Sequence, residues 1–209
     1  MTELVTGVDL VGLHLDVALG HGLPRQLERA EPHGHAIEAR LYAEDPAHDF
    51  LPQSGRIVAL RLPGGPGVRV DAGVREGDVI GMHFDPMIAK LSVWGPDRAT
   101  AVARLRAALA EAQVAGVVTN LPFLRAVAAH EKFGAGRTVT SLIEREIAPA
   151  WRAERKARAP SAALLAASAI VLAEGPTALQ AAGASTQAGG GDTPGPWENL
   201  GTFRLGGAR

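Results

Sequence analysis

Between His35 and Glu44 apolar and polar residues alternate strictly, with Ile37, Ala39, Leu41 and Ala43 on one side and Glu38, Arg40, Tyr42 and Glu44 on the other. A period of two predicts a half-buried strand with a polar outer face. Earlier in the chain Val8, Leu10, Val11, Leu15, Val17 and Ala18 recur at helical spacing, and Gly20 and Pro24 follow, which predicts a short helix over about 7–19. Arg56–Leu62, Val68–Asp71 and Ile88–Trp94 are strand-like, and the segments between them carry Pro-Gly-Gly-Pro-Gly, Glu-Gly-Asp and Asp-Pro turn signals. The stretch 55–94 is therefore expected to be an antiparallel sheet. Asp97 is placed to cap a helix whose stripe is Ala101, Val102, Leu105, Ala108 and Leu109, with Arg98, Arg104 and Glu111 facing water and an end near Gly116. A second helix is expected from Asn120-Leu-Pro, where proline suits an early helical position, and a third over about 139–147. Strand, sheet, helix, helix is an α+β order.

After Ala150 the pattern dissolves. Residues 157–188 are dominated by alanine and lead into a Gly-Gly-Gly run, so a helix around 161–174 is possible, 175–196 reads as linker, and the segment around Trp197 and Phe203 looks like the opening of a further domain. The expected divisions are 1–30, 31–150, 151–196 and 197–209. With 209 residues, the chain can hold one ordinary domain plus a tail, or two small ones. Twenty-one basic against 22 acidic residues leave no global attraction to nucleic acid or an acidic membrane. The chain has no cysteine, which removes disulfides, thiolate metal sites and thiol nucleophiles. No apolar run approaches the roughly 20 residues of a bilayer span, and the first residues lack a signal-peptide pattern. No nucleic acid or membrane partner is expected, and a cytoplasmic location is.

Few residues offer chemistry. The Gly-rich piece 63–67 lies between strands rather than at a helix N-terminus, so it reads as a turn and not as a phosphate cradle. His33-Gly-His35 offers two imidazoles but no third ligand at suitable spacing, so no metal site is expected. Glu44–Asp45 and Glu76–Asp78 adjoin Pro46 and Gly77 and read as solvated turn carboxylates. Arg40 stands out: it lies mid-strand on the polar face, with Glu38 two residues earlier on the same side. A guanidinium held by a carboxylate keeps its charge at any physiological pH and can stabilise a developing oxyanion. An ordinary cross-strand salt bridge explains the same pair, and the residues alone leave both readings open.

Seven stretches, taken in order, resemble the biotin carboxylase family, in the version found in the biotin-containing α subunits of bacterial acyl-CoA carboxylases. They are 2–11 (TELVTGVDLV), 34–46 (GHAIEARLYAEDP), 50–55 (FLPQSG), 67–71 (GVRVD), 73–78 (GVREGD), 84–91 (FDPMIAKL) and 119–124 (TNLPFL). The resemblance implies the end of an ATP-grasp module (1–30), the biotin carboxylase C-terminal domain with its antiparallel sheet and helices (31–150), and then an Ala/Gly-rich tail. It matches Arg40 to the arginine that faces the biotin ureido oxygen and stabilises its enolate, with Glu38 in support.

The same resemblance implies a parent enzyme that uses ATP, magnesium and bicarbonate to carboxylate biotin. The family's ATP-binding lysines, magnesium glutamates and bicarbonate segment, and its Ala-Met-Lys-Met biotinylation motif, have no counterpart in these 209 residues. The chain is thus expected to be a piece of a longer protein, to bind none of those cofactors well and to be inactive alone. Implied partners are a biotin carboxyl carrier domain, a carboxyltransferase β subunit and a second biotin carboxylase module in a homodimer. Pyruvate or urea carboxylases share the module, and a non-catalytic dimerisation or interaction module is the reading from a different class.

Overall fold

The computed structural model describes residues 1–24, 27 and 30–157. The central element is a three-stranded antiparallel sheet ordered β1 (His35–Tyr42), β8 (Met87–Gly95), β6 (Val68–Ala72). Three two-stranded ladders surround it: β2 (Glu44–Asp45) with β3 (Leu51–Pro52), β4 (Gly55–Arg56) with β7 (Val79–Ile80), and β5 (Ala59–Arg61) with β9 (Gln113–Ala115). The register sets Ala39 opposite Leu91 and Leu91 opposite Val70, so these apolar residues share one face. Arg40, Lys90 and Asp71 form the matching row on the other face.

Helix α3 (Arg98–Glu111) packs against the apolar face. The Asp97 carboxylate accepts the Thr100 amide at 2.7 Å and so satisfies a donor that the first turn leaves free. The buried residues of α3 are the expected five, Ala101, Val102, Leu105, Ala108 and Leu109. Withdrawing each leucine side chain from water contributes roughly 1.5–3 kcal/mol. A second apolar cluster joins α4 (Leu121–Ala129) to α6 (Ala148–Ala157): the Phe123 ring meets Phe50 edge-on at 5.1 Å and Trp151 at 5.5 Å. A short helix, α5 (Glu131–Gly134), and a π-helical turn (Ile143–Ile147) connect the two.

Several expectations change. The helix over 7–19 is two pieces, α1 (Thr2–Thr6) and α2 (Leu10–Ala18), because Gly7 takes a left-handed conformation (φ 69°) and Asp9 starts a new helix by accepting the Gly12 amide. None of the apolar residues of α2 is buried among the described residues, although their spacing is amphipathic. The stretch 55–94 is not one sheet either. Arg56–Leu62 is split at Ile57, which turns fully inward, and its two halves pair with 79–80 and with 113–115 rather than with β6 and β8. The helix over 98–116 ends at Glu111 and gives way to β9, and the third helix starts later and continues to Ala157. Expectations for 161–209 fall outside the described residues. No helix among the described residues is long and apolar enough to cross a membrane.

Candidate functional site

Arg40 is the sixth residue of β1, the edge strand of the sheet, and its side chain is 59% exposed. Its Nε donates to Glu38 Oε1 at 3.2 Å, so the expected pairing along the strand is present. The Glu38 hydrogen bond, then Tyr42 two residues further on the same face, raise the proton affinity of the guanidinium above its ordinary value. The neighbouring cations share a carboxylate. Lys90, opposite Arg40 in the register, lies 3.4 Å from Asp71, and Arg69 bridges Asp71 at 3.1 Å and Glu3 at 2.5 Å. Arg40 thus has its own carboxylate on the outer strand, where a ligand can approach without displacing another cation.

The outer edge of β1 borders an open cleft of about 390 Å³, lined on the strand side by Arg40, Tyr42 and Glu44 and on the helical side by Asn120, Phe123 and Phe133. Phe50 closes one end. Asp49 and Phe50 both adopt left-handed backbone conformations, with φ of 51° and 58°, which non-glycine residues rarely do. The Phe123 ring and the Arg152–Asp49 pair at 2.6 Å hold that bend in place.

Glu44 was expected to be a solvated turn carboxylate but is half-buried in the cleft wall. Burial, reinforced by Asp85, pushes its carboxyl above the ordinary 4.5. Asp45 behaves as expected of a turn residue: it accepts the Ala47 amide at 2.9 Å and contacts His48 at 2.7 Å. Glu76 and Asp78 likewise accept backbone amides, those of Leu60 and Arg75. The two histidines of 33–35 serve different partners. The His33 carbonyl accepts from Trp94 Nε1 at 3.0 Å, and the His35 ring contacts Arg98 at 2.8 Å. Gly34 between them has φ 74° and is pressed against the Gly95 carbonyl, where a Cβ would collide. Segment 63–67 is the turn joining β5 to β6.

The sign of the Glu44 shift gives a testable consequence. A carboxyl whose folded value is raised favours the fold while protonated, and that contribution is lost as pH rises through the folded value. Glu44→Gln should therefore raise Tm at pH 7, and the gain should vanish as pH falls below about 4.5, where Glu44 is protonated in both folded and unfolded chains. Asp45 is shifted downward by its hydrogen bond to His48, and Glu146 by its hydrogen bond to Lys132. Their contributions are present above their ordinary values and are lost as pH falls through the folded values, so the wild-type chain should lose Tm in acid. Thermal melts of both chains from pH 7 to pH 3 check this. An equal gain for Glu44→Gln at both ends of the series would show that charge is not its cause.

Residues 38–145 match the family model described as the biotin carboxylase C-terminal domain. The α subunit of mitochondrial methylcrotonoyl-CoA carboxylase from Dictyostelium discoideum is 38% identical over 208 residues, which is 98% of this chain and 28% of that protein. Biotin carboxylase from Nostoc is 43% identical over 144 residues, 69% of this chain and 32% of its own length. Among solved structures, the biotin carboxylase domain dimer of Hydrogenobacter thermophilus 2-oxoglutarate carboxylase, in complex with MgADP, ADP and bicarbonate, superposes with a TM-score of 0.66 at 37% identity. The match covers 68% of this chain and 31% of that one. The chain spans about a third or less of the length of these relatives.

Proposed function

The chain belongs to the biotin carboxylase C-terminal domain family, and from that premise we propose that it supplies the biotin-facing wall of a biotin carboxylase in an acyl-CoA carboxylase α subunit. The observation that carries the reading is Arg40, an exposed guanidinium aligned by its own carboxylate at the edge of an open cleft. Biotin, when bound, supplies a ureido nitrogen as nucleophile, and the ureido oxygen takes up negative charge as that nitrogen becomes reactive. The residues at the cleft edge fit such a group. Arg40 donates to Glu38 through Nε, and its fork offers further N–H donors to an oxygen. Glu38 fixes the plane of the guanidinium, so little reorganisation is needed as charge develops. Phe50 and Phe123, in edge-on contact at 5.1 Å, give the cleft an apolar end.

The proposal places ATP, magnesium and bicarbonate on residues outside 1–157. Among the described residues no three carboxylates or histidines cluster as metal ligands, and the glycine-rich turn does not open a helix. The choice of acyl group would rest with a carboxyltransferase β subunit, and the carboxylated biotin would travel on a carrier domain. The methylcrotonoyl-CoA relative supports the acyl-CoA class, and the domain dimer of 2-oxoglutarate carboxylase supports pairing with a second module.

A graft tests the reading. Residues of this chain replace the 144 that align with them in the Nostoc enzyme, and bicarbonate-dependent ATP hydrolysis and biotin carboxylation are measured beside the 209-residue chain alone. The graft should do both, and the chain alone neither. ATP turnover by the chain alone, or a folded graft that hydrolyses ATP yet leaves biotin uncarboxylated, would count against this assignment.

A further inference from the structure

An edge strand presents backbone groups with no neighbour to bond, and β1 has such an edge at Arg40 and Tyr42. Asn120 fills it. Its Nδ2 donates to the Arg40 carbonyl at 3.1 Å, its Oδ1 accepts the Tyr42 amide at 3.0 Å, and its own amide donates to the Tyr42 carbonyl at 3.1 Å. These are the groups that an adjacent strand would take, and a single buried residue, 6% exposed, takes all three.

Two independent features show that this use of Asn120 is specific. It stands at the N-cap position of α4, where an asparagine ordinarily accepts an amide of its own helix, yet its side chain makes no such bond. The Thr119 hydroxyl is the acceptor for the Leu121 amide instead. Meanwhile the ladder from β1 to β8 shifts register between Leu41 and Tyr42, where β8 carries one extra residue, within the span that the outer clamp covers. Arg40 lies two residues before Tyr42, still in register with Lys90, and its carbonyl is the first of the three groups that the clamp takes.

We propose that Asn120 is a positioning residue for Arg40: it acts as a one-residue strand that fixes the backbone from which the guanidinium projects. The functional part of the proposal rests on the reading of Arg40 as the group facing the biotin oxygen. Asn120 lines the cleft, but its amide and both carboxamide atoms are committed to Arg40 and Tyr42, so in this scheme it acts through β1.

Two measurements test it, and they separate its failure from that of the Arg40 reading. In the full 209-residue chain, amide exchange at Tyr42 and 15N relaxation at Arg40 Nε are compared for wild type, Asn120→Ala, Asn120→Asp and Val102→Ala. The last variant destabilises the core beneath α3 without touching the clamp. Asn120→Ala should lose at least tenfold in Tyr42 protection beyond any global loss, while Val102→Ala should not. Asn120→Asp is isosteric and keeps the acceptor for the Tyr42 amide, but it can donate to the Arg40 carbonyl only when protonated, so the order measured at Arg40 Nε should rise as pH falls. In the Nostoc graft, Asn120→Ala should lower kcat for biotin carboxylation about tenfold with bicarbonate-dependent ATP hydrolysis unchanged, and Val102→Ala should leave the ratio of the two activities as it was. Unaltered Tyr42 protection in Asn120→Ala, Arg40 Nε order independent of pH in Asn120→Asp, or an unaltered activity ratio in Asn120→Ala overturns the proposal. Full carboxylation by Arg40→Ala overturns the Arg40 reading instead, whatever the exchange data show.

Discussion

Arg40→Ala, placed in a complete biotin carboxylase that carries this segment, is expected to slow biotin carboxylation by roughly two to three orders of magnitude, the usual cost of losing one preorganised oxyanion donor. ATP binding and bicarbonate-dependent ATP hydrolysis should stay near normal, because Arg40 lies on an edge strand and its carboxylate partner is Glu38, on the same strand. The loss should fall on kcat more than on KM, since the interaction strengthens as charge develops on the oxygen. Arg40→Lys should recover little. An ammonium keeps the charge but lacks the planar fork, and Glu38 could no longer fix a donor plane. Glu38→Gln should sit between wild type and Arg40→Ala, because a neutral amide can still accept from Nε while aligning it less firmly. Steady-state kinetics of the three variants, with carboxylation and ATP hydrolysis followed separately, check the order. Carboxylation by Arg40→Ala within a few-fold of wild type would return the Arg40–Glu38 pair to an exposed salt bridge of small worth.

The pair Glu38–Arg40 was legible because its information is local: strict alternation fixes which residues share a face, and residues two apart on a strand meet on it. The stripe of α3 was legible for the same reason, with a period of 3.6 and a capping aspartate at its head. What the chain did not reveal lies in long-range pairing. Asn120 reads as a helix cap from Asn-Leu-Pro, and nothing near it in sequence says that its carboxamide is committed to a strand 78 residues away. Gln113–Ala115 reads as the tail of a helix until it is seen to pair with Ala59–Arg61. Glu44 was assigned to a turn by its proline neighbour, yet it keeps the alternation that sets it on the face of Arg40 and Tyr42 and lies with them in the cleft wall. The exposed apolar face of α2 shows the opposite failure, in which periodicity foretells a helix but not what covers it.

Leu91→Ala is expected to be the most damaging core substitution, and the reason is how little free space surrounds it. Leu91 is 5% exposed on the middle strand, flanked in register by Ala39 and Val70. Beneath it, bounded by Leu109, Ala112 and Leu121, lies a gap of about 10 Å³, room for roughly one water and too small for a side chain to shift into. Truncation therefore leaves a void that neither strand can close, since β8 is held by partners on both sides, and deletions of this kind cost about 2–5 kcal/mol. For a unit of this size each kcal/mol lowers Tm by roughly 2–4 °C, so a fall on the order of 10 °C is expected, with the denaturant slope unchanged. Ala39→Val tests the same packing from the other side. It adds two methyl groups where the gap has room for about one, so it should also destabilise, by about 1–3 kcal/mol, rather than fill a cavity. Urea unfolding of both variants decides the matter. A stabilised Ala39→Val would mean that the sheet and α3 can part enough to admit the larger side chain. In that case β1 would be softer than its pairing implies, and Arg40 would owe its alignment to Asn120 even more than to the core.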